Sequence, residues 1–80
     1  MVISGEQLRK IRTVYRVSLE EFGALLGVSG RFILYVERGE RLFPEERQRL
    51  LVSELSLTPE KLSKIESIYD EGEECKVNII

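Results

Sequence analysis

Few side chains in this sequence of 80 residues are suited to covalent or metal chemistry. Histidine, the commonest general base and metal ligand, is absent, and Cys75 is the single cysteine. A zinc site of the usual nitrogen and sulfur type therefore cannot form within one chain, and no nucleophile has a base at a catalytic spacing. We expect no enzymatic activity, no metal and no cofactor. One cysteine also excludes an intramolecular disulfide, which favours a cytoplasmic location.

Charged residues make up 32% of the chain, both signs are mixed, and the formal net charge is −2. Residues 1–49 hold nine basic and seven acidic side chains, a net +2, whereas residues 50–80 hold three and seven, a net −4. A weakly basic front half suits a protein that presents one side to an anion, but this bias alone does not indicate nucleic acid. No apolar run is long enough to span a bilayer, so we expect no membrane partner.

Hydrophobic periodicity and capping patterns predict three short helices in the first half of the chain. They are expected over residues 4–16, 18–26 and 29–38. Each begins at a serine that can cap it, and the first two have the spacing of a capping box. Gly27 and Gly39 follow the second and third helices, where glycine takes a positive φ at little cost.

Prolines mark the start of two further helices, expected over residues 44–55 and 59–72, with Gly72 at the end of the second. Apolar and polar residues alternate near the end of the segment 73–80, which allows a short strand there. The sequence thus predicts an all-α domain of five helices in residues 1–72, followed by a C-terminal tail.

Three features of the second and third helices together have the pattern of a helix-turn-helix. Gly23 is a small residue inside a helix, where glycine costs about 1 kcal/mol relative to alanine, so close packing of another helix is a reason for it. Gly27 follows at the turn. Ile33 and Val36 lie three apart on the third helix and are expected to anchor it to the core.

The run SLEEFGALLGVS of residues 18–29, followed by Ile33 and by VERG at residues 36–39, closely resembles the helix-turn-helix of Cro/XRE-type phage repressors. Glycine, apolar and Glu-x-Gly positions all fall in register over about residues 5–70. The resemblance implies a five-helix domain of the lambda-repressor type. It also implies that this chain binds double-stranded DNA as a transcriptional repressor. In this family the third helix enters the major groove, and the second sets its N-terminus against a phosphate.

Carried over position by position, the resemblance implies two sets of DNA contacts. The residues expected to face bases are Ser29, Gly30, Arg31, Phe32, Leu34 and Tyr35. Those expected to bind phosphates are Ser18, Arg12, Arg16, Arg38 and Arg41. Arg31 is the strongest base reader, because its guanidinium can bond two guanine acceptors at once, and Phe32 can touch a thymine methyl. Glu37 is expected to brace the third helix through structural bonds.

Departures from the family pattern leave a second function open. Leu19 stands where the family commonly carries glutamine, and Gly30 has no side chain with which to read a base. Phe32, Leu34 and Tyr35 make the outward side of the third helix apolar, and an exposed apolar cluster usually marks a binding surface. The alternative is therefore a helix-turn-helix module of antirepressor or antitoxin type that binds a protein partner through this helix.

DNA binding by this family implies two-fold symmetry. A palindromic operator requires two recognition helices about one turn of DNA apart, roughly 34 Å. We expect a homodimer formed by the fifth helix and the tail, which the helix-turn-helix does not use, with residues 77–80 able to pair as an edge strand. Binding is expected to weaken steeply with salt.

Overall fold

The computed structural model describes the backbone of residues 2–79 and the side chains of residues 2–72. Its elements are α1 (Gly5–Tyr15), α2 (Leu19–Leu26), α3 (Gly30–Glu37), α4 (Glu45–Leu55) and α5 (Pro59–Ile79). Between residues 2 and 79 there is no strand. The prediction of an all-α fold with five helices is confirmed.

Serine side chains fix the start of the first three helices. The hydroxyls of Ser4, Ser18 and Ser29 accept hydrogen bonds of 3.1, 3.0 and 3.1 Å from the backbone N–H three residues later. In α1 and α2 the long side chain at that third position accepts in return from the serine N–H, which completes both predicted capping boxes. The backbone and hydroxyl of Ser18 thereby stabilise the charged carboxylate and hold the pKa of Glu21 below its ordinary value.

The last helix is longer than the sequence pattern predicts. α5 continues through Gly72 to Ile79, so the predicted helix end at Gly72 and the short strand allowed for the tail are corrected to one continuous helix. The glutamates and the lysine that follow Gly72 are good helix formers, and they offset the cost of about 1 kcal/mol for an internal glycine. Ile80 lies outside the described residues. Over the described chain no helix, α5 included, has both the length and the apolar character needed to cross a membrane.

The hydrophobic core lies where α1, α2 and α3 meet, and α4 and α5 close it. α2 packs chiefly against α3, and α1 packs against both α5 and α3. The most deeply buried side chains are Ile3, Leu8, Ile11, Phe22, Leu26, Ile33, Val36 and Leu51. Each contributes about 1.5–3 kcal/mol by leaving water. The predicted anchors of α3, Ile33 and Val36, are thus both in the core.

Two glycines allow closer contact between segments than any other residue would. A Cβ on Gly23 would lie 2.5 Å from the carbonyl oxygen of Val28, in the turn that joins α2 to α3. The steric role predicted for Gly23 is confirmed. Gly5, which the sequence pattern does not single out, is under the same constraint, because a Cβ there would collide with the carbonyl oxygen of Val36 near the end of α3.

Candidate nucleic-acid interface

The first turns of α2 and α3 lie side by side at one surface. A Cβ built on Gly30 would be 3.0 Å from the backbone nitrogen of Glu20 and 3.1 Å from the carbonyl carbon of Leu19. Gly30 therefore has a packing role that the sequence pattern does not predict, since only the folded chain brings these backbones together. The capping residues Ser18 and Ser29 are both exposed. Two helix N-termini, each with unpaired N–H groups and a positive dipole end, thus lie close together at the surface.

The turn between the two helices has the predicted glycine geometry. Gly27 has φ 72° and ends α2, and its N–H donates to the carbonyl oxygen of Gly23. An L-residue with a side chain rarely adopts this left-handed conformation. Val28 then donates its N–H to the same oxygen of Gly23 at 2.9 Å, so the chain turns sharply before Ser29 caps α3.

The outward side of α3 carries an exposed cation beside partly buried apolar side chains. Arg31 is exposed and forms no ion pair within residues 2–72. Phe32, Leu34 and Tyr35 are each half-buried, and Phe32 packs against the core. The exposed apolar cluster expected at these three positions is therefore reduced to partly exposed edges, because α3 turns much of the Phe32 ring inward.

Arg12, predicted as a phosphate contact, is held in an internal ion pair. Its Nε donates to Oε2 of Glu37 at 2.7 Å, its Nη2 to Oε1 at 3.2 Å, and its Nη1 to the carbonyl oxygen of Val17 at 3.1 Å. The Glu37 side chain is only 4% exposed, and that of Arg12 is 21% exposed. The pair joins α1 to α3 and to the α1–α2 loop, which agrees with the bracing role expected of Glu37. Only a fifth of the Arg12 side chain is left for a phosphate.

The other arginines predicted to bind phosphates are exposed. Arg16 has a left-handed conformation, φ 55°, where it ends α1. Arg38 ends α3, and its Nη1 lies 3.8 Å from Oε2 of Glu40, with both side chains more than half exposed. A pair of this kind contributes little to stability and leaves the guanidinium free to bind a phosphate instead. Arg41 is exposed in the loop between α3 and α4.

Exposed charges over residues 18–41 are balanced. The cations are Arg31, Arg38 and Arg41, and the anions are Glu20, Glu21 and Glu40. Glu37 does not enter this balance, because it is neutralised internally by Arg12. The segment therefore has no strong positive field of its own, and attraction to a nucleic acid would depend on individual arginines and helix ends.

Gln48 of α4 connects parts of the chain that the sequence pattern does not associate. Its Oε1 accepts a hydrogen bond from the backbone N–H of Ile3 at 3.0 Å, and its Nε2 donates to the carbonyl oxygen of Phe43 at 2.8 Å. It thereby fixes the end of the loop that carries Arg41. The sequence gives no signal for this role, since its bond to Ile3 spans 45 residues.

Comparisons of this chain with protein-family models, with curated proteins and with solved structures gave no match. The class that the structure defines is an all-helical domain of five helices in which a glycine turn joins α2 to α3. The likeness to Cro/XRE-type repressors therefore depends on the sequence pattern, and a functional conclusion depends on the surface described above.

Proposed function

We propose that this protein is a sequence-specific DNA-binding transcriptional regulator of the repressor type, acting as a cytoplasmic homodimer on a palindromic operator. The observation that carries the proposal is the tight contact of Gly23 with Val28, because it holds α3 across α2 with Arg31 at the surface. This is the arrangement that a helix-turn-helix needs in order to place its second helix in a groove.

The size of α3 and its polar ends suit the major groove. A helix with its side chains is about 10–12 Å across, which fits a major groove about 12 Å wide, and α3 has only eight residues. Arg31, in the first turn, is able to reach the two acceptors of a guanine. The capped N-terminus of α2 at Ser18 would take one phosphate, and Arg38 and Arg41 would take others beside the groove.

The balanced surface charge sets how strongly salt should act. If Arg16, Arg38 and Arg41 each neutralise one phosphate, a dimer neutralises about six phosphates. A plot of the logarithm of the binding constant against the logarithm of the salt concentration should then have a slope of about −5. Non-specific binding should be weak, because exposed glutamates accompany the cations. Sequence preference then rests mainly on α3.

The test is selection of binding sites from random-sequence DNA, followed by gel shifts over a salt series. We expect enrichment of a palindrome, and a loss of about 1–3 kcal/mol in affinity for it when Arg31→Ala is introduced. Arg49→Ala is the matched control, because Arg49 is exposed on α4 and pairs with Glu45 at 2.6 Å, outside the proposed surface. Failure to enrich any sequence, or equal losses from both variants, would refute the proposal.

A second candidate is a module that binds a protein partner through α3, and the balanced charge of residues 18–41 favours it. Phe32, Leu34 and Tyr35 would supply the apolar contact, and their half burial limits the area available. Under this alternative Tyr35→Ala should weaken partner binding more than Arg31→Ala does, and selection from random DNA should yield no palindrome.

A further inference from the structure

The loop between α3 and α4 is fixed at both ends, and its middle is exposed. At its start Gly39 has φ 78°, and the backbone N–H groups of Glu40 and Arg41 both donate to the carbonyl oxygen of Tyr35, at 2.9 and 3.3 Å. At its end the carbonyl oxygen of Phe43 accepts from Gln48. A short loop held in this way has few conformations left to lose when it binds a ligand.

The two ends differ in how they are held. The contact at Tyr35 is made by backbone atoms alone, so it persists only while the rest of the loop keeps its path. The contact at Phe43 depends on a side chain, that of Gln48, which also accepts from the N–H of Ile3. Ile3 is 2% exposed and Phe43 is 9% exposed, so Gln48 holds the backbone of two core residues together.

The side chains of Arg41, whose backbone forms part of the first anchor, and of Leu42, which lies between the two anchors, are both directed to solvent. Leu42 is 92% exposed although its neighbour Phe43 is in the core, so the loop presents its middle residues outward even where one of them is apolar. An arginine on a flexible loop loses both backbone and side-chain conformational entropy when it binds a phosphate. On a fixed loop the backbone entropy is already lost on folding, so binding costs only the side-chain part.

We infer that Gln48 is a positioning residue for DNA binding, which holds the loop so that Arg41 meets a backbone phosphate. This inference rests on the proposed function. We assign Gln48 a role through the loop, because its amide oxygen and its amide nitrogen each already bind a backbone group, that of Ile3 and that of Phe43. Its removal should therefore weaken DNA binding only through the loop.

Two variants separate the hydrogen bonds of Gln48. Gln48→Glu keeps an acceptor for the N–H of Ile3 and loses the donor to Phe43, whereas Gln48→Ala loses both. Amide hydrogen exchange of the free protein reports the order of the loop without DNA. We expect faster exchange at Glu40 and Arg41 in both variants and unchanged exchange in Arg49→Ala, the control one residue away on α4.

The decisive measurement is a double-mutant cycle on DNA affinity between positions 48 and 41, below the melting temperature of every variant. We expect Arg41→Ala to weaken binding of the selected operator about 5- to 10-fold in the unaltered protein, and less than 2-fold in the Gln48→Ala background. The salt slope should become shallower by about 0.9 for each phosphate that is no longer neutralised, in both single variants. A role in stability alone would not move this slope.

The outcomes are distinct. If DNA binds but the losses from the two positions simply add, or if Gln48→Glu leaves loop exchange unchanged, the role of Gln48 is overturned and the proposed function stands. If the unaltered protein binds no DNA over the salt series, the proposed function fails and the inference fails with it.

Discussion

The bond between Arg12 and Glu37 shows how a single side chain can have a structural role where the sequence suggests a ligand contact. A buried ion pair gives little net stability, since both charges leave water, but removal of one partner leaves the other charge buried and unpaired. Glu37 is 4% exposed, so it cannot regain its hydration without movement of α3. The pair therefore fixes the position of α3 more than it stabilises the domain.

We expect Arg12→Ala to lower the free energy of unfolding by about 3 kcal/mol, because it leaves the Glu37 carboxylate without its two hydrogen bonds. That is a large share of the stability of a small domain. Urea denaturation measures it. Arg9→Ala is the matched control, since Arg9 lies exposed on the same helix, and it should change stability by less than about 0.5 kcal/mol. Equal effects of the two substitutions would mean that the ion pair does not brace α3.

At the scale of elements, two internal glycines should respond to the same substitution with opposite signs. Gly23→Ala places a Cβ 2.5 Å from the carbonyl oxygen of Val28, a backbone atom that moves only if α2 and α3 separate, so we expect a loss of about 1–3 kcal/mol. Gly72→Ala in α5 meets no atom of the described residues within 4 Å and should gain about 0.5–1 kcal/mol through reduced chain entropy.

Thermal and urea unfolding of the two variants gives the comparison directly. The opposite signs matter more than the magnitudes, since alanine improves helix propensity equally at both positions. A neutral or stabilising Gly23→Ala would mean that α2 and α3 do not cross closely in solution. The arrangement that presents Arg31 would then lose its basis, and the DNA-binding proposal with it.

Local signals explain which elements the sequence predicts correctly. The starts of α1 and α2 depend on residues three apart, Ser4 with Gln7 and Ser18 with Glu21, so the pattern is complete within one turn. The predicted end of α5 is wrong because it depended on a single local signal. Gly72 is a local stop signal, but it is overridden where neighbouring residues favour the helix and nothing blocks its continuation.

Features of the site that the sequence does not predict depend on residues far apart in the chain. Arg12 meets Glu37 across 25 residues, and Gln48 meets Ile3 across 45. Gly5 and Gly30 are needed because the backbone of another helix approaches each of them closely. The neighbouring residues in the sequence do not indicate that approach. The role of Gly23 is predictable because its partner, the turn at Val28, is close in sequence.

At the scale of the whole molecule, α5 has two parts with different surroundings. Its first half packs along α1, where Nε2 of Gln7 donates to Oε1 of Glu66 at 3.0 Å and Nζ of Lys10 lies 5.6 Å from the centre of the Tyr69 ring. Among residues with described side chains, none of the buried core lies beyond Ile65. From residue 70 to residue 79 the helix runs on for about 15 Å.

The second half of α5 is acidic, which gives the proposed dimer a salt response opposite to that of DNA binding. Residues 70–76 contain four acidic side chains and one lysine. If two copies pair through this part of α5, their like charges repel, and added salt should strengthen the dimer by screening that repulsion. Salt should weaken DNA binding by competing for phosphates. A gel shift alone therefore combines two opposing effects, and the oligomeric state has to be measured separately.

A chain that stops at Gly72 separates folding from dimerisation. Because no buried core residue lies beyond Ile65 among the side chains described up to residue 72, we expect the shortened chain to keep its helical circular dichroism over α1 to α4. It should melt within a few degrees of the full chain at equal protomer concentration. It should be a monomer by light scattering, whereas the proposed function requires the full chain to be a dimer. Its affinity for the palindrome should fall toward that of one half-site, since the second recognition helix is no longer tethered.

The full chain with Gly72→Ala is the control for that truncation, because it changes the residue at which the shortened chain ends and keeps the rest of α5; under the proposal it should remain a dimer. A truncated chain that still dimerises would place the contact elsewhere, on the first half of α5 where Ile68 is 45% exposed or on another face. A truncated chain that fails to fold would mean that folding and dimerisation both need residues 73–79, and would contradict this division of roles along α5. Only a folded monomer with weakened palindrome binding agrees with a dimer built through the end of α5.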